Sequence, residues 1–224
     1  MYIQTVLLAS AMLMSEGPAK HEAAVVISQG SVIPQTIRCT TQKVGAYVED
    51  GQALQNVRIE GCQVAIAQRG NGPITGVTID TCLAGIWLLG DRAQVYDNQI
   101  FGCEYGIVVQ GERNTVRNNR LVQPVFDGVL ITGDLNDIRE NRVELPGGHG
   151  IHVVGSVPNI GLGQYLPRFR QMPRHNGIIG NTIVSSEERL PNSYDLRQWP
   201  LSCPNSGNTW SRNIFSTRSG VCLN

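Results

Sequence analysis

A unit of roughly 20–22 residues recurs along this chain, and a period of that length points to a stacked solenoid. Five stretches align: Ile59-Glu60-Gly61-Cys62, Ile79-Asp80-Thr81-Cys82, Ile100-Phe101-Gly102-Cys103, Leu121-Val122-Gln123-Pro124 and Val143-Glu144-Leu145-Pro146. Two or three residues later each gives a small residue and then a β-branched one: Ala65-Ile66, Gly85-Ile86, Gly106-Ile107, Gly128-Val129 and Gly150-Ile151. The runs close on Gly70, Gly90, Gly111, Gly133 and Gly155. Such a unit is too short for two packed helices. Its short β-rich runs, broken by Gly and Asn, suit coils of parallel strands. The expected fold is all-β, a single-stranded parallel β-helix of about 7 coils with an N-terminal cap and two long loops.

A column of asparagines supports the stacking. Asn98, Asn119, Asn141 and Asn181 each stand two residues before a branched apolar residue, and Asn213 begins a looser Asn-Ile pair. Asn tolerates left-handed backbone at a tight bend. Stacked in register, its amide can also bond the Asn of the next coil. These residues read as structural rather than catalytic.

With these columns in place, the chain resembles the right-handed parallel β-helix superfamily of pectate lyases, polygalacturonases and alginate epimerases, over roughly residues 36–216. The right hand comes from that resemblance and from the rule for parallel crossovers. It implies an extracellular scaffold acting on, or binding, polysaccharide.

Composition narrows the field. Net charge is zero and 16% of residues are charged, which argues against a dedicated nucleic-acid binder. No apolar run reaches the length of a membrane span. Residues 1–19 hold an apolar run, Val6 to Met14, and read as an export signal or as a cap; residues 20–224 are expected to form the β-helix domain, with irregular loops at 156–176 and 185–206. Cys62, Cys82 and Cys103 share one coil position and Cys39 lies near its equivalent, so they are core thiols or bridged neighbours. Cys203 and Cys222 bracket the tail, where a disulfide would staple the last coil. That arrangement favours a secreted or periplasmic location.

Alternation along the strands turns Ile66, Ile86, Ile107, Val129 and Ile151 inward and Ala67, Trp87, Val108, Leu130 and His152 outward. Trp87 and His152 are therefore candidate sugar-binding residues on an apolar stripe. The residue before each strand glycine forms another column: Val64, Ala84, Tyr105, Asp127 and His149. Asp127 and His149 lie one coil apart, a spacing that suits an acid–base or orienting pair. Here the likeness to polygalacturonases sharpens. Gly147-Gly148-His149-Gly150-Ile151 resembles their Gly-His-Gly segment, and Phe126-Asp127 falls where they carry an Asp pair. Phe126 and Tyr105 replace expected aspartates, and the family's Arg-x-Lys segment is absent. Glu104 offers a second carboxylate, offset by one position.

Arg58, Arg120 and Arg142 face outward on another sheet, with Arg117 and Arg139 near by. They read as a solvated face with intervening acids, or as cations for a uronate polymer. The candidate catalytic residues are thus Asp127, His149, Tyr105 and Glu104; the candidate substrate contacts are Trp87, His152, Arg120 and Arg142. No metal set stands out by spacing, and calcium enters only if the chemistry is that of a lyase. The expected activity is a glycoside hydrolase, lyase or epimerase. The alternative is a non-catalytic carbohydrate-binding or structural β-helix.

Overall fold

The computed structural model describes residues 20–155, 173–185, 193–199 and 206–219. Apart from one 3-10 turn at Lys20–Glu22, the regular elements of these residues are all β-strands. They wind into a parallel solenoid of about 8 turns, one more than the sequence period predicted. The turns stack three parallel sheets. A nine-stranded sheet starts at Ala23–Ile27 and runs through Val64–Gln68, Ala84–Leu88, Tyr105–Val109, Val129–Ile131 and Ile151–Val154 to Leu196–Trp199 and Arg218–Ser219. A seven-stranded sheet runs from Leu54–Gln55 to Thr209–Ser211. Another runs from Thr36–Arg38 to Thr182–Val184.

Register carries the period into space. Ile66 pairs with Ile86, Ile86 with Ile107, Ile107 with Val129, and Val129 with Ile151. All five lie in one core with Ile59, Ile79, Ile100, Leu121 and Val143 from the facing sheet. Burying each such side chain stabilises the coil by about 1.5–3 kcal/mol. Cys39 is bonded to Cys62 and Cys82 to Cys103, so the stacked cysteines are disulfides rather than thiols. Cys203 and Cys222 lie outside the described residues, as do residues 1–19 and most of both long loops.

The asparagine column forms a ladder. Asn98 Nδ2 donates to Asn119 Oδ1 (2.9 Å), Asn119 to Asn141 (2.9 Å), Asn141 to Asn181 (3.0 Å) and Asn181 to Asn213 (3.0 Å). The same Oδ1 atoms accept the backbone N–H of the preceding coil's Asn, satisfying donors that would otherwise be buried without a partner. The left-handed residue is not the ladder Asn, as its chemistry suggested, but the one before it: Asp97, Asn118, Glu140, Gly180 and Arg212. That residue makes the bend, and the bend turns the following Asn inward. A second ladder, Asn114, Asn136, Asn176 and Asn208, was not recognised in the sequence. It caps backbone N–H groups at 2.8 Å along the next corner.

The outward face of the nine-stranded sheet is not an open stripe. Ala67, Val108 and Leu130 are fully buried and Trp87 is 1% exposed; with Tyr47, Val44, Val64 and Ala84 they form a second apolar cluster. The indole N–H of Trp87 donates to Gln110 Oε1 at 3.1 Å. In this arrangement the Trp87 ring is packed rather than presented for stacking on a sugar.

Candidate acid–base site

The site is built where two coils widen. Residues 124–127 and 146–149 each make a longer turn into the nine-stranded sheet. The upper turn lies directly on the lower: Gly147 N–H donates to Pro124 O (2.9 Å) and Gly148 N–H to Phe126 O (2.8 Å). A Cβ on Gly147 would stand 2.4 Å from Val125 O, and one on Gly148 would stand 2.5 Å from Phe126 O. The two glycines therefore permit the close approach that brings His149 down onto Asp127.

Asp127 is 6% exposed and His149 7% exposed. Asp127 Oδ1 accepts the backbone N–H of His149 at 3.0 Å. Its other oxygen, Oδ2, lies 3.0 Å from Nδ1 of His152. The sequence put Asp127 and His149 in one column and left His152 as an outward sugar contact. The coil does bring Asp127 and His149 together, but the imidazole directly on the carboxylate is that of His152. The reason is that Asp127 sits on a bulged turn, from which its carboxylate reaches the outward face of the next strand, where His152 stands. The two histidine rings meet edge to face at 4.5 Å.

His149 has other partners. Its Nδ1 accepts the backbone N–H of Tyr194 at 2.8 Å, and its Nε2 lies 2.8 Å from a guanidinium nitrogen of Arg197. The Tyr194 ring is nearly parallel to the His149 ring, with centroids 6.1 Å apart. Burial first, then the neighbouring His152, push His149 down from 6.5 to a pKa of about 4, against the opposing pull of Asp127. His149 is thus a neutral imidazole at physiological pH. His152 follows Leu130 and precedes Arg197 in register on the same outward face. With Nδ1 turned to Asp127, the Nε2 of His152 is buried and has no hydrogen-bond partner among the described residues.

The remaining sequence candidates fall into two groups. Tyr105 is 8% exposed, one coil before Asp127, with its ring centroid 5.4 Å from that of Phe126. Burial, and then the charges of Asp127 and Glu104, raise its hydroxyl well above the usual phenol range, so it stays protonated. A protonated hydroxyl suits a proton donor rather than a base. Glu104 is partly exposed beside it. Arg120 and Arg142 stand on a different sheet and both bind Glu144: Arg120 through two bonds of 3.0 Å, Arg142 through one of 2.6 Å. These hydrogen bonds hold the Glu144 carboxyl down at about 2. Arg58 is likewise engaged by Glu60 and Asp80, and Arg139 by Asp137. Arg117 lies over the Tyr96 ring at 4.9 Å.

Asp127, His149 and His152 place one ligand atom each within 4.8 Å of one another, a nitrogen–nitrogen–oxygen set. Its surroundings suit a metal poorly. A ligating imidazole ordinarily donates its second N–H to an acceptor. Here Nδ1 of His149 faces a donor, and Nε2 faces a cation. Calcium, which takes six to eight oxygens, would find one carboxylate.

Comparison with known proteins agrees with the fold. Residues 23–162 match the family described as "Right handed beta helix region". No curated protein and no solved structure matches the chain. No helix among the described residues is long and apolar enough to cross a membrane.

Proposed function

Since the chain belongs to the right-handed β-helix region family, we propose that it is a secreted or periplasmic protein that acts on a polysaccharide by general-base chemistry at Asp127 and His152. The two disulfides are consistent with an extracytoplasmic protein. The observation that carries the reading is the 3.0 Å contact of Asp127 Oδ2 with His152 Nδ1, together with an Nε2 that has no partner among the described residues. The carboxylate fixes the tautomer with its proton on Nδ1 and leaves the lone pair on Nε2. It also steadies the imidazolium that forms when Nε2 takes a proton, the role an aspartate plays in other dyads.

Proton abstraction fits the residues better than hydrolysis by two carboxylates. Hydrolysis with inversion needs one carboxyl as acid and a second as base. Asp195, the other buried aspartate of this region, is consumed by the backbone N–H groups of Ser216 and Thr217 and the hydroxyl of Ser185. A lyase or epimerase instead needs a base for a sugar C–H and a proton donor on the other side of the reaction. His152 supplies the first, and protonated Tyr105 supplies the second.

The test is incubation of the purified protein with polyuronates and neutral glycans, following reducing ends, ultraviolet absorbance and sugar configuration by NMR. New reducing ends with absorbance, or inverted configuration without cleavage, support proton abstraction. New reducing ends without absorbance replace it with a hydrolase. No change with any polymer leaves the non-catalytic binding or structural reading.

A further inference from the structure

Four cysteines stand in one file up the solenoid: Cys39, Cys62, Cys82 and Cys103, one to a coil. Register fixes each step. Arg38 pairs with Glu60, and the backbone N–H of Cys39 donates to Glu60 O. Glu60 pairs with Asp80 and Val64 with Ala84, on either side of Cys62 and Cys82. Asp80 pairs with Phe101 and Ala84 with Tyr105, on either side of Cys82 and Cys103. The next coils carry Pro124 and Pro146 at this place, so the file ends at Cys103. It has three gaps of one coil, and two of them are bridged, Cys39–Cys62 and Cys82–Cys103, with Cα–Cα distances of 5.0 and 4.4 Å. The middle gap, from Cys62 to Cys82, is the same one-coil step of about 4.8 Å, inside the range a disulfide tolerates. The ends, Cys39 and Cys103, are three coils or about 14 Å apart and cannot be joined.

We propose that the file is a redox switch: once one bridge is reduced, the other migrates across the middle gap. Cys39 is the half-buried end of the file, while Cys62 and Cys103 are closed in, so reduction enters at Cys39–Cys62. An external dithiol reduces that bond to two thiols and is itself oxidised to its disulfide. The Cys62 thiol then gives up its proton, and the thiolate attacks Sγ of Cys82. The Cys62–Cys82 bond forms, the Cys82–Cys103 bond breaks, and Cys103 leaves as a thiolate that takes up the proton. Because the bridges lie along the file, Cys62 approaches Cys82 from the side opposite Cys103, in line with the bond that breaks. Steps of two coils exceed the reach of a disulfide, so this is the one alternative pairing. Release of Cys103 bears on the acid–base site. Its carbonyl accepts the N–H of Val125 (3.0 Å), and that of Glu104 accepts the N–H of Phe126 (2.8 Å), so the turn it anchors supports the turn that carries Asp127. Tyr105 follows two residues on. Migration thus unties the coil beneath the site and ties two coils further from it. The inference holds whatever the site acts on.

The experiment uses the full chain with Cys39→Ser, which keeps a partner for Cys82 on either side and leaves one thiol of the file unpaired. The protein is held folded at about pH 8, near the thiol pKa, then denatured in acid with N-ethylmaleimide and digested with trypsin. Lys43, Arg69 and Arg92 put the four cysteines on separate peptides. The expected result by mass spectrometry is a Cys62–Cys82 linked peptide beside the Cys82–Cys103 one, in amounts within about tenfold of each other, because loops of such similar length constrain the unfolded chain alike. Should that variant fold poorly, the wild type treated with one equivalent of dithiothreitol gives the same reading: Cys62–Cys82 linked, with Cys39 and Cys103 alkylated. The Cys62–Cys82 peptide in either protein supports the switch. Native pairs alone in both, or pairs that skip a coil such as Cys62–Cys103, which require an unfolded chain, overturn it.

Discussion

Asp127 Oδ2 lies 3.0 Å from His152 Nδ1, one coil further along the solenoid. Twenty-five residues separate them in the chain, and only stacked turns make them neighbours. The same carboxylate binds the main chain of His149. One acid thus orients two imidazoles, one through its ring and one through its backbone, which gives the two histidines different work.

The two rings should titrate differently. His149 is held down to about 4 by burial, against 6.5 in an unfolded chain. Between those values the unfolded state binds the extra proton, so this residue contributes stability that is complete above about pH 6.5 and is lost as pH falls toward 4. Proton-detected ¹⁵N NMR should find His149 neutral at pH 6, with its proton on Nε2. A titration near 6.5, or a proton on Nδ1, would contradict the hydrogen bond from Tyr194.

Breaking the inner ladder should destabilise the fold. Asn119 accepts both the backbone N–H and the side-chain amide of Asn98, and donates to Val95 O and Asn141 Oδ1. Asn119→Val fills the column as Val57 and Val77 do in the earliest coils, but leaves the Asn98 groups buried without an acceptor. The expected loss is about 2 kcal/mol or more, read from urea unfolding. A change within experimental error would mean that the ladder is not a stabilising device.

Each described disulfide closes a loop of one coil, 23 residues for Cys39–Cys62 and 21 for Cys82–Cys103. A bridge across such a loop is worth about 3 kcal/mol through the unfolded state. Cys82→Ser paired with Cys103→Ser should lower the urea midpoint accordingly, without moving the far end of the solenoid. Reduction of the wild type that leaves its midpoint unchanged would refute this.

The outer ion pairs should matter only above acid pH. Glu144 is depressed to about 2 from the ordinary 4.5 by hydrogen bonds from Arg120 and then Arg142. A depressed carboxyl contributes stability that is present above the unfolded value and is lost as pH falls from 4.5 toward 2. Glu144→Gln should therefore be less stable at pH 6, by no more than about 1 kcal/mol for so solvated a pair, and equal to wild type near pH 2. A gap that persists at low pH would assign the effect to packing.

What the sequence made legible follows from what repeats. The column through Ile66 and the first three members of the column through Asn98 recur every 20–22 residues in consecutive coils, so their stacking could be read directly. The ladder through Asn114 carries the same signal, since Asn114, Asn136 and Asn176 also stand two residues before a branched apolar residue (Val116, Ile138, Ile178), so it was equally legible in the sequence. Asp127 and His149 were placed together correctly in the chain. The His152 contact was missed because it depends on how a bulged turn aims one carboxylate, which no period encodes. Tyr194 and Arg197 join the site from a coil that comes 45 residues after His149 and His152 instead of the usual 20–22. The insertion between them hides the register that puts Arg197 beside His152.

The most direct test of the site is a double-mutant cycle on kcat/KM, with Asp127→Asn, His152→Gln and the pair, using whichever polymer the wild type converts. If the two side chains act as one base, each single change should cost about 10²–10⁴-fold and the pair little more than either. Losses that multiply, or single variants that keep wild-type rates with the coil intact, would contradict the account.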